Sequence, residues 1–387
     1  MTATSFRPRV ATSENHVDAA IRLASIFSES AADLDLTGAF PAGNFRLLHQ
    51  SGLVALTAPV ELGGAGAGLT ETAEVIREIA RGEPSTALIL IMQYINLAQL
   101  LKGRWPEHLV RAVARDATER GALINALRVE PALGTPLRGG LPDTTARRVG
   151  DAWLISGRKI YSTGAEGLTW AIVWAKTDED EPRVGGFLVP VQAPGVQVER
   201  TWDPIGMRAT GSHDVVFDEV RVPLDHAVDI RAPSEWANRE GQAPWFGILP
   251  GALYTGIAEA ARDWLVRFLK DRVPSNLGRP LATVPRIQQS VGEIEELLAV
   301  NRRLIRSAAR DVDEGRPLSQ SEAGLIKVVT TENAIAAVEK ALKLSGNHGV
   351  SRANPLERHY RDVLCGRIHS PQEDTVRTSA GQLALGI

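Results

Sequence analysis

From about Val17 to Thr118, apolar residues recur every three or four positions, the spacing that lines one face of a helix. The pattern predicts helices over "VDAAIRLASIFSESAADL", "NFRLLHQSGLVAL" and "LTETAEVIREIARG". Glycine-dense "PVELGGAGAG" (Pro59–Gly68) lies between the last two and reads as a loop. The most apolar window, Ser85–Gly103, is interrupted by Gln93, Asn96 and Gln99. Its apolar runs are too short to span a bilayer, so a buried helix is expected. Between about Ala122 and Pro223 the pattern shortens to runs rich in Val, Ile, Thr and Trp. "AWLISGRKIYSTGA", "WAIVWAKTD", "VGGFLVPV", "GVQVERTWD" and "HDVVFDEVRVP" read as strands of an antiparallel sheet or barrel. No long helix separates them, which argues against a doubly wound parallel sheet. From about Pro244 the helical period returns in three segments of more than twenty residues, the mark of an antiparallel bundle. The expected fold is α+β in three domains: a helical domain over 1–121, a central β domain over 122–230 and a helical bundle over 231–387. "RAPSEWANREGQAP" (Arg231–Pro244) would link the last two.

Composition narrows the function classes. The 387 residues are 44% hydrophobic and 23% charged with a formal net charge of −3, and no lysine/arginine cluster marks a nucleic-acid face. The single cysteine, Cys365, rules out an internal disulfide framework and fits a reducing compartment. The first twenty residues lack the long apolar core of a signal peptide. A cytoplasmic protein that neither binds nucleic acid nor sits in a membrane is expected.

Familiar motifs are mostly absent. "GGAGAG" fails the dinucleotide pattern G-x-G-x-x-G, because Leu69 stands three residues beyond Gly66. His348, His359 and His369 are ten or more residues apart and no Cys-x-x-Cys occurs, so no metal site is expected. "TGSHD" (Thr210–Asp214) lacks the glycine spacing of a nucleophile elbow. More informative are the strand ends at Thr135 and at Tyr161, Ser162, Thr163 and Gly164. Backbone donors beside a flat ring suit a planar ligand bearing carbonyls and ring nitrogens, although such residues also end many ordinary strands.

Six segments, in order, carry a resemblance across essentially the whole chain. They are "PVELGGAGAG", "VEPALGT…GDAWLISGRKIYSTGA", "GMRATGSHDVVFDEVRVP", "DRVPSNLGRPLATVPRIQ", "LSGNHG" and "NPLERHYRDV". Together they resemble the acyl-CoA dehydrogenase superfamily of flavoproteins. The resemblance implies FAD, or FMN as in some relatives, held between the β domain and the bundle. It places Arg128, Val129, Thr135, Tyr161, Ser162 and Thr163 against the flavin ring. The adenosine-pyrophosphate end would be held by Arg272, Gln288 and Gly346 of a neighbouring subunit, which implies a homodimer or homotetramer. Leu277 replaces the family's aromatic after that arginine. An arginine suits a pyrophosphate because its planar fork donates two parallel hydrogen bonds, although Arg272 also suits a helix C-terminus.

The resemblance breaks at the catalytic base. Most members abstract the substrate's α-proton with a glutamate in a loop after the Arg-Asp pair. Aligned on "RDV", that loop here has His369 at the aromatic, Ser370 at the glutamate, and Pro371 and Gln372 after it. A few relatives carry the glutamate on the first bundle helix, a position that falls near Phe246. Glu240 lies in the linker, and Glu373 is three residues late. "SPQE" reads as a capping box, with Ser370 as N-cap, Pro371 at N1 and Glu373 at N3. "RATGSHDVV" and "NPLERHYRDV" look closer to the superfamily's monooxygenase-like branch, whose members oxidise small molecules with reduced flavin supplied by a separate flavin reductase. That chemistry implies a dry pocket and a histidine acid/base. The reacting positions are then His213, His369 and Ser370, with Trp245 and Phe246 as an aromatic wall for a small-molecule substrate. Two alternatives remain: an acyl-CoA or acyl-carrier dehydrogenase with a relocated base, and an inactive flavin-binding scaffold.

Overall fold

The computed structural model describes residues 14–133, 140–236 and 243–387. Its first domain holds α1 (His16–Thr37), α2 (Ala42–Gln50), α3 (Leu69–Gly82), α4 (Pro84–Ala98) and α5 (Glu107–Arg120). Local chemistry sets these boundaries. Asn15 caps α1 by accepting the Asp18 N–H at 2.9 Å, and Gly38 ends it in the left-handed region at φ 64°. Glu83 caps α4 through the N–H groups of Ser85 and Thr86, with Pro84 at the first helical position. α4 is buried along most of its length, and among the described residues no helix is long and apolar enough to cross a membrane.

The central sheet comprises β1 (Leu123–Leu127), β2 (Thr145–Val149), β3 (Ala152–Lys159), β4 (Leu168–Thr177), β5 (Val184–Pro190), β6 (Val196–Glu199), β7 (Asp214–Pro223) and β8 (Ala227–Arg231). Its order is β6-β7-β3-β2-β4-β5-β8, with β1 also paired to β4. The pairings are antiparallel except β1–β4 and β2–β4, which are parallel. β1 can run parallel because α5 delivers it at the same end of the sheet as β4, with Asp116 of α5 accepting the Trp170 indole N–H at 3.1 Å. The strands β1, β2 and β8 are too short and too mixed in polarity to stand out in the sequence.

The bundle is built on α6 (Ala243–Asp271), α7 (Pro285–Asp313) and α8 (Gln320–Ser345), followed by α9 (Leu356–Leu364) and α10 (Glu373–Leu385). Helix α6 is its centre, apolar on nearly every side through its first half. Two glycines let backbones touch there. A Cβ at Gly247 would lie 2.3 Å from the Ala323 carbonyl oxygen of α8, and one at Gly256 would lie 2.3 Å from the Arg77 carbonyl oxygen of α3. The same helix binds the first domain electrostatically. Glu259, almost fully buried, accepts from Arg77 at 2.6 Å and from Arg302 of α7 at 3.0 Å. At the end of α7, Asp313 accepts the N–H groups of Leu69 and Thr70 at 2.7 and 2.8 Å and so caps α3 from another domain.

Candidate active site

Two β-domain segments meet beside α4 of the first domain, where a Cβ at Gly164 would lie 3.1 Å from Ile89 Cγ2. Beyond β1, Val129 accepts the Ile160 N–H at 2.9 Å, so Arg128–Glu130 lie alongside the residues that follow β3. The chain after β3 is then fixed residue by residue. Ser162 N–H donates to the His213 carbonyl at 3.1 Å, Gly164 N–H to that of Thr210 at 2.8 Å, and Asn125 Nδ2 to that of Thr163 at 3.0 Å. The Thr163 hydroxyl lies 3.1 Å from Ser212 Oγ, itself 2.9 Å from Thr210 Oγ1. In this frame Tyr161 takes a left-handed backbone, φ 54°, with its side chain 62% exposed and edge-on to Trp202 at 6.2 Å. Such a conformation is costly for an aromatic residue and is held here by its neighbours. Ser162 is 1% exposed, yet its hydroxyl finds no partner among the described residues. A buried, unsatisfied hydroxyl next to a presented ring fits a planar heteroaromatic group with carbonyls and ring nitrogens. Arg128 is turned onto the Trp174 ring, 5.0 Å from its centroid. Thr135 lies outside the described residues.

Beneath these segments lies an ion pair that sequence reasoning missed. Lys159 Nζ and Glu130 Oε1 are 2.5 Å apart and both essentially buried. Glu130 also accepts from the Asp143 N–H, the Thr144 N–H and the Thr144 hydroxyl, at 2.6, 3.0 and 2.5 Å. Burial alone would raise Glu130, but the bonds from Lys159 and Thr144 carry it below the ordinary carboxylate range. Burial draws Lys159 down to about 8 despite its partner. Both groups are therefore ionised at neutral pH, tying the ends of the segment 130–144 together.

His213 is buried, and its Nδ1 accepts the Trp202 N–H at 3.0 Å. Burial lowers its pKa, so it stands as a neutral fixture of the β domain. His369 lies within the bundle. Its Nδ1 lies 2.5 Å from the Tyr254 hydroxyl of α6, and its carbonyl oxygen accepts from Lys327 Nζ of α8 at 2.8 Å. Burial and the nearby Lys327 charge hold His369 down at about 4. Ser370 is exposed. It is not the N-cap of the last helix: α10 begins at Glu373, with Gln372 at the cap position. Lys327 also holds the Gly366 carbonyl at 2.6 Å, so the chain through His369 belongs to the preceding turn and the helix starts two residues late. Glu373 then sits at N1 rather than N3, half-buried and 3.4 Å from Arg377. Trp245 is buried and Phe246 half-buried in the first turn of α6, while Glu240 lies outside the described residues.

At the opposite end of α6, Arg272 directly follows the helix and its carbonyl accepts the Leu281 N–H at 3.0 Å. Gln288 Nε2 donates to the Ala282 carbonyl at 3.0 Å, and Phe268 packs 5.0 Å from the His348 ring in the turn that Gly346 opens. Gly346, at φ 56° and ψ −136°, takes a conformation open in practice only to glycine. Arg272, Gln288 and Gly346 thus gather at one end of the bundle, away from His369.

The helix–sheet–bundle plan, together with the family matches that follow, defines a flavoprotein oxidoreductase. Three domain families match in order: acyl-CoA dehydrogenase N-terminal domain over 18–102, middle domain over 127–220 and C-terminal domain over 248–373. The chain belongs to the acyl-CoA dehydrogenase family. It is 36% identical to YdbM of Bacillus subtilis (strain 168) over 92% of each chain. It is 31% identical to the mitochondrial short-chain specific acyl-CoA dehydrogenase of Bos taurus, over 90% of this chain and 83% of that one. Among solved structures, the nitrososynthase of Micromonospora carbonacea var. africana superposes with a TM-score of 0.83 at 28% identity over 96% of each chain. KijD3, in complex with FMN and an amino-keto sugar nucleotide, superposes with a TM-score of 0.81 at 26% identity, covering 98% of this chain and 96% of that one. The cofactor is accordingly a flavin.

Proposed function

We propose that this protein is an oxygen-activating flavin oxidoreductase, a monooxygenase or oxidase acting on a small organic molecule. The observation that carries the reading is the state of the buried carboxylates. Among the described residues these are Glu78, Glu83, Glu130, Glu259 and Asp362. Arginines or a lysine hold Glu78, Glu130 and Glu259; helix N–H groups hold Glu83, and the Met207 N–H holds Asp362. The positions at which the family's base would fall carry Ser370 and Phe246. Abstraction of an α-proton needs a carboxylate within contact of the substrate; four of these five are ion-paired or cap a helix, and Asp362 is tied into the junction of the domains at Met207.

Reduced flavin, when bound, supplies the two electrons that activate dioxygen. The chain's part is to hold and shield. Tyr161, Ser162 and Thr163 face the ring, with Arg128 and Val129 beside them. Arg272, Gln288 and Gly346 would serve the adenosine end of FAD in a neighbouring copy, which makes the working unit a homodimer or homotetramer. His369 offers a neutral imidazole whose remaining N–H can donate a hydrogen bond, and Trp245 and Phe246 exclude water. The nitrososynthase likeness supports the reading. A cytoplasmic setting and a separate flavin reductase belong to the proposal itself. The bovine relative favours a second reading, an acyl-CoA dehydrogenase with a relocated base.

The test is an anaerobic titration of the flavin-loaded protein with a panel of acyl-CoA thioesters, set beside turnover with reduced flavin and labelled dioxygen on small aromatic and amine substrates. Expected are unchanged flavin absorbance with every thioester and label in an oxidised product. Bleaching by any thioester at a catalytic rate would overturn the proposal in favour of the second reading.

A further inference from the structure

His369 is gripped from two helices, and neither gripping residue stands out in the sequence. From α6, the Tyr254 hydroxyl reaches Nδ1 at 2.5 Å; from α8, Lys327 holds the carbonyl oxygens of Gly366 and His369. Tyr254 is fully buried, and among the described residues its hydroxyl has one hydrogen-bond partner, Nδ1. Were Nδ1 the donor, the phenolic proton would be stranded in an apolar helix packing, an expensive arrangement. The phenol therefore donates, and the proton of the neutral ring sits on Nε2. Gly366 makes the fit possible: a Cβ there would meet Thr331 Cγ2 at 2.5 Å and the Tyr254 ring at 3.1 Å. The main chain before His369 thus lies directly against the tyrosine.

We infer that Tyr254 is a positioning residue that fixes His369 as an Nε2–H donor, while Lys327 holds the main chain that carries it. The role in turnover rests on His369 being the reacting-site donor proposed above; the tautomer does not. The titratable neighbours are Tyr254 and Lys327, with Asp362 and Cys365 acting on the first and Glu332 and Glu373 on the second.

The experiment is nitrogen NMR on flavin-loaded protein with isotope-labelled histidine, using His369→Asn to assign the resonance. Wild type should show one neutral Nε2–H tautomer, unchanged between about pH 5.5 and 8 because burial keeps the ring neutral. Tyr254→Phe should give mixed tautomers and a raised imidazole pKa, since a hydrogen bond accepted by Nδ1 favours the neutral ring. Its kcat should fall several-fold with KM unchanged, because only part of the population then presents the Nε2–H. A wild-type Nδ1–H tautomer overturns the inference without recourse to any variant. A Tyr254→Phe protein with the wild-type tautomer and imidazole pKa overturns it as well. Full turnover by His369→Asn would instead refute His369 as the donor, leaving the tautomer to be decided by NMR alone.

Discussion

The Met207 N–H donates to the Asp362 carboxylate at 2.6 Å, and both residues are buried. Beside it, Arg361 forks onto Asp35 of α1 at 2.8 and 2.6 Å and reaches the Ile205 carbonyl at 2.7 Å. Gly206 has no room for a side chain, because a Cβ would lie 2.3 Å from the Arg361 carbonyl oxygen. The Arg-Asp pair of "RDV" therefore joins all three domains at one point, behind the segment that carries Thr210 and Ser212.

Burial pushes Asp362 up to about 7. A carboxyl whose folded pKa exceeds its unfolded one contributes stability that is complete below the unfolded value and is lost as pH rises through the folded one. Wild-type melting temperature should carry a falling component between about pH 4 and pH 7. Asp362→Asn keeps an acceptor for Met207 and never ionises, so its melting curve should lack that component. Asp362→Ala strands the Met207 N–H and should cost about 1–3 kcal/mol. Melting temperatures of the three proteins across pH check all three statements.

For the Glu130–Lys159 pair the prediction concerns one partner at a time. Lys159→Met leaves a buried carboxylate without its cation, which should cost about 3–5 kcal/mol. Because Glu130 adjoins Val129 and Lys159 lies two residues before Tyr161, flavin affinity should fall in parallel. Denaturant midpoints and flavin dissociation constants provide the check. A loss of stability with wild-type flavin affinity would mean that the pair braces the sheet alone.

Much of this organisation was legible in the chain. Long amphipathic periods announced the helices α1, α3, α7 and α8, and alternation announced β3, β4 and β7, because each element buries one face or one stripe. β1 and β8 escaped because five residues give too little pattern, and the parallel β1–β4 pairing depends on where α5 ends. At the site, Tyr161–Thr163 could be named because a strand end with hydroxyls and a ring is a local feature. Tyr254 and Lys327 could not. A tyrosine in an apolar helix reads as core, and Lys327 in "GLIKVVTT" becomes informative only when a carbonyl-rich turn folds over it. The capping box at "SPQE" misled because the same turn consumes the residues that would have begun the helix.

Glu259 gives a prediction about how the first domain is held. Glu259→Gln removes the charge that faces Arg77, Arg81 and Arg302 while preserving shape, so three guanidinium groups lose their shared anionic partner. The cost should be about 3–5 kcal/mol for this buried cluster. Hydrogen exchange should quicken first in α3, whose Arg77 and Arg81 both reach across to α6. Uniform quickening over the whole bundle would show that the cluster supports α6 itself rather than the domain contact.

Tyr161 separates stability from function. Its φ of 54° costs roughly 1–2 kcal/mol for a residue with a side chain and nothing for glycine, and its ring is mostly exposed, so little packing offsets the cost. Tyr161→Gly should therefore leave the flavin-free protein as stable as wild type or slightly more so, with the gain limited by glycine's greater freedom when unfolded. If the ring is there to face a flavin, the same change should weaken flavin binding by an order of magnitude or more. Thermal melts without flavin and binding titrations with FAD and FMN check the two halves separately. An unstable Tyr161→Gly protein would show that Trp202 packing holds the ring in place, and undiminished flavin affinity would remove Tyr161 from the site.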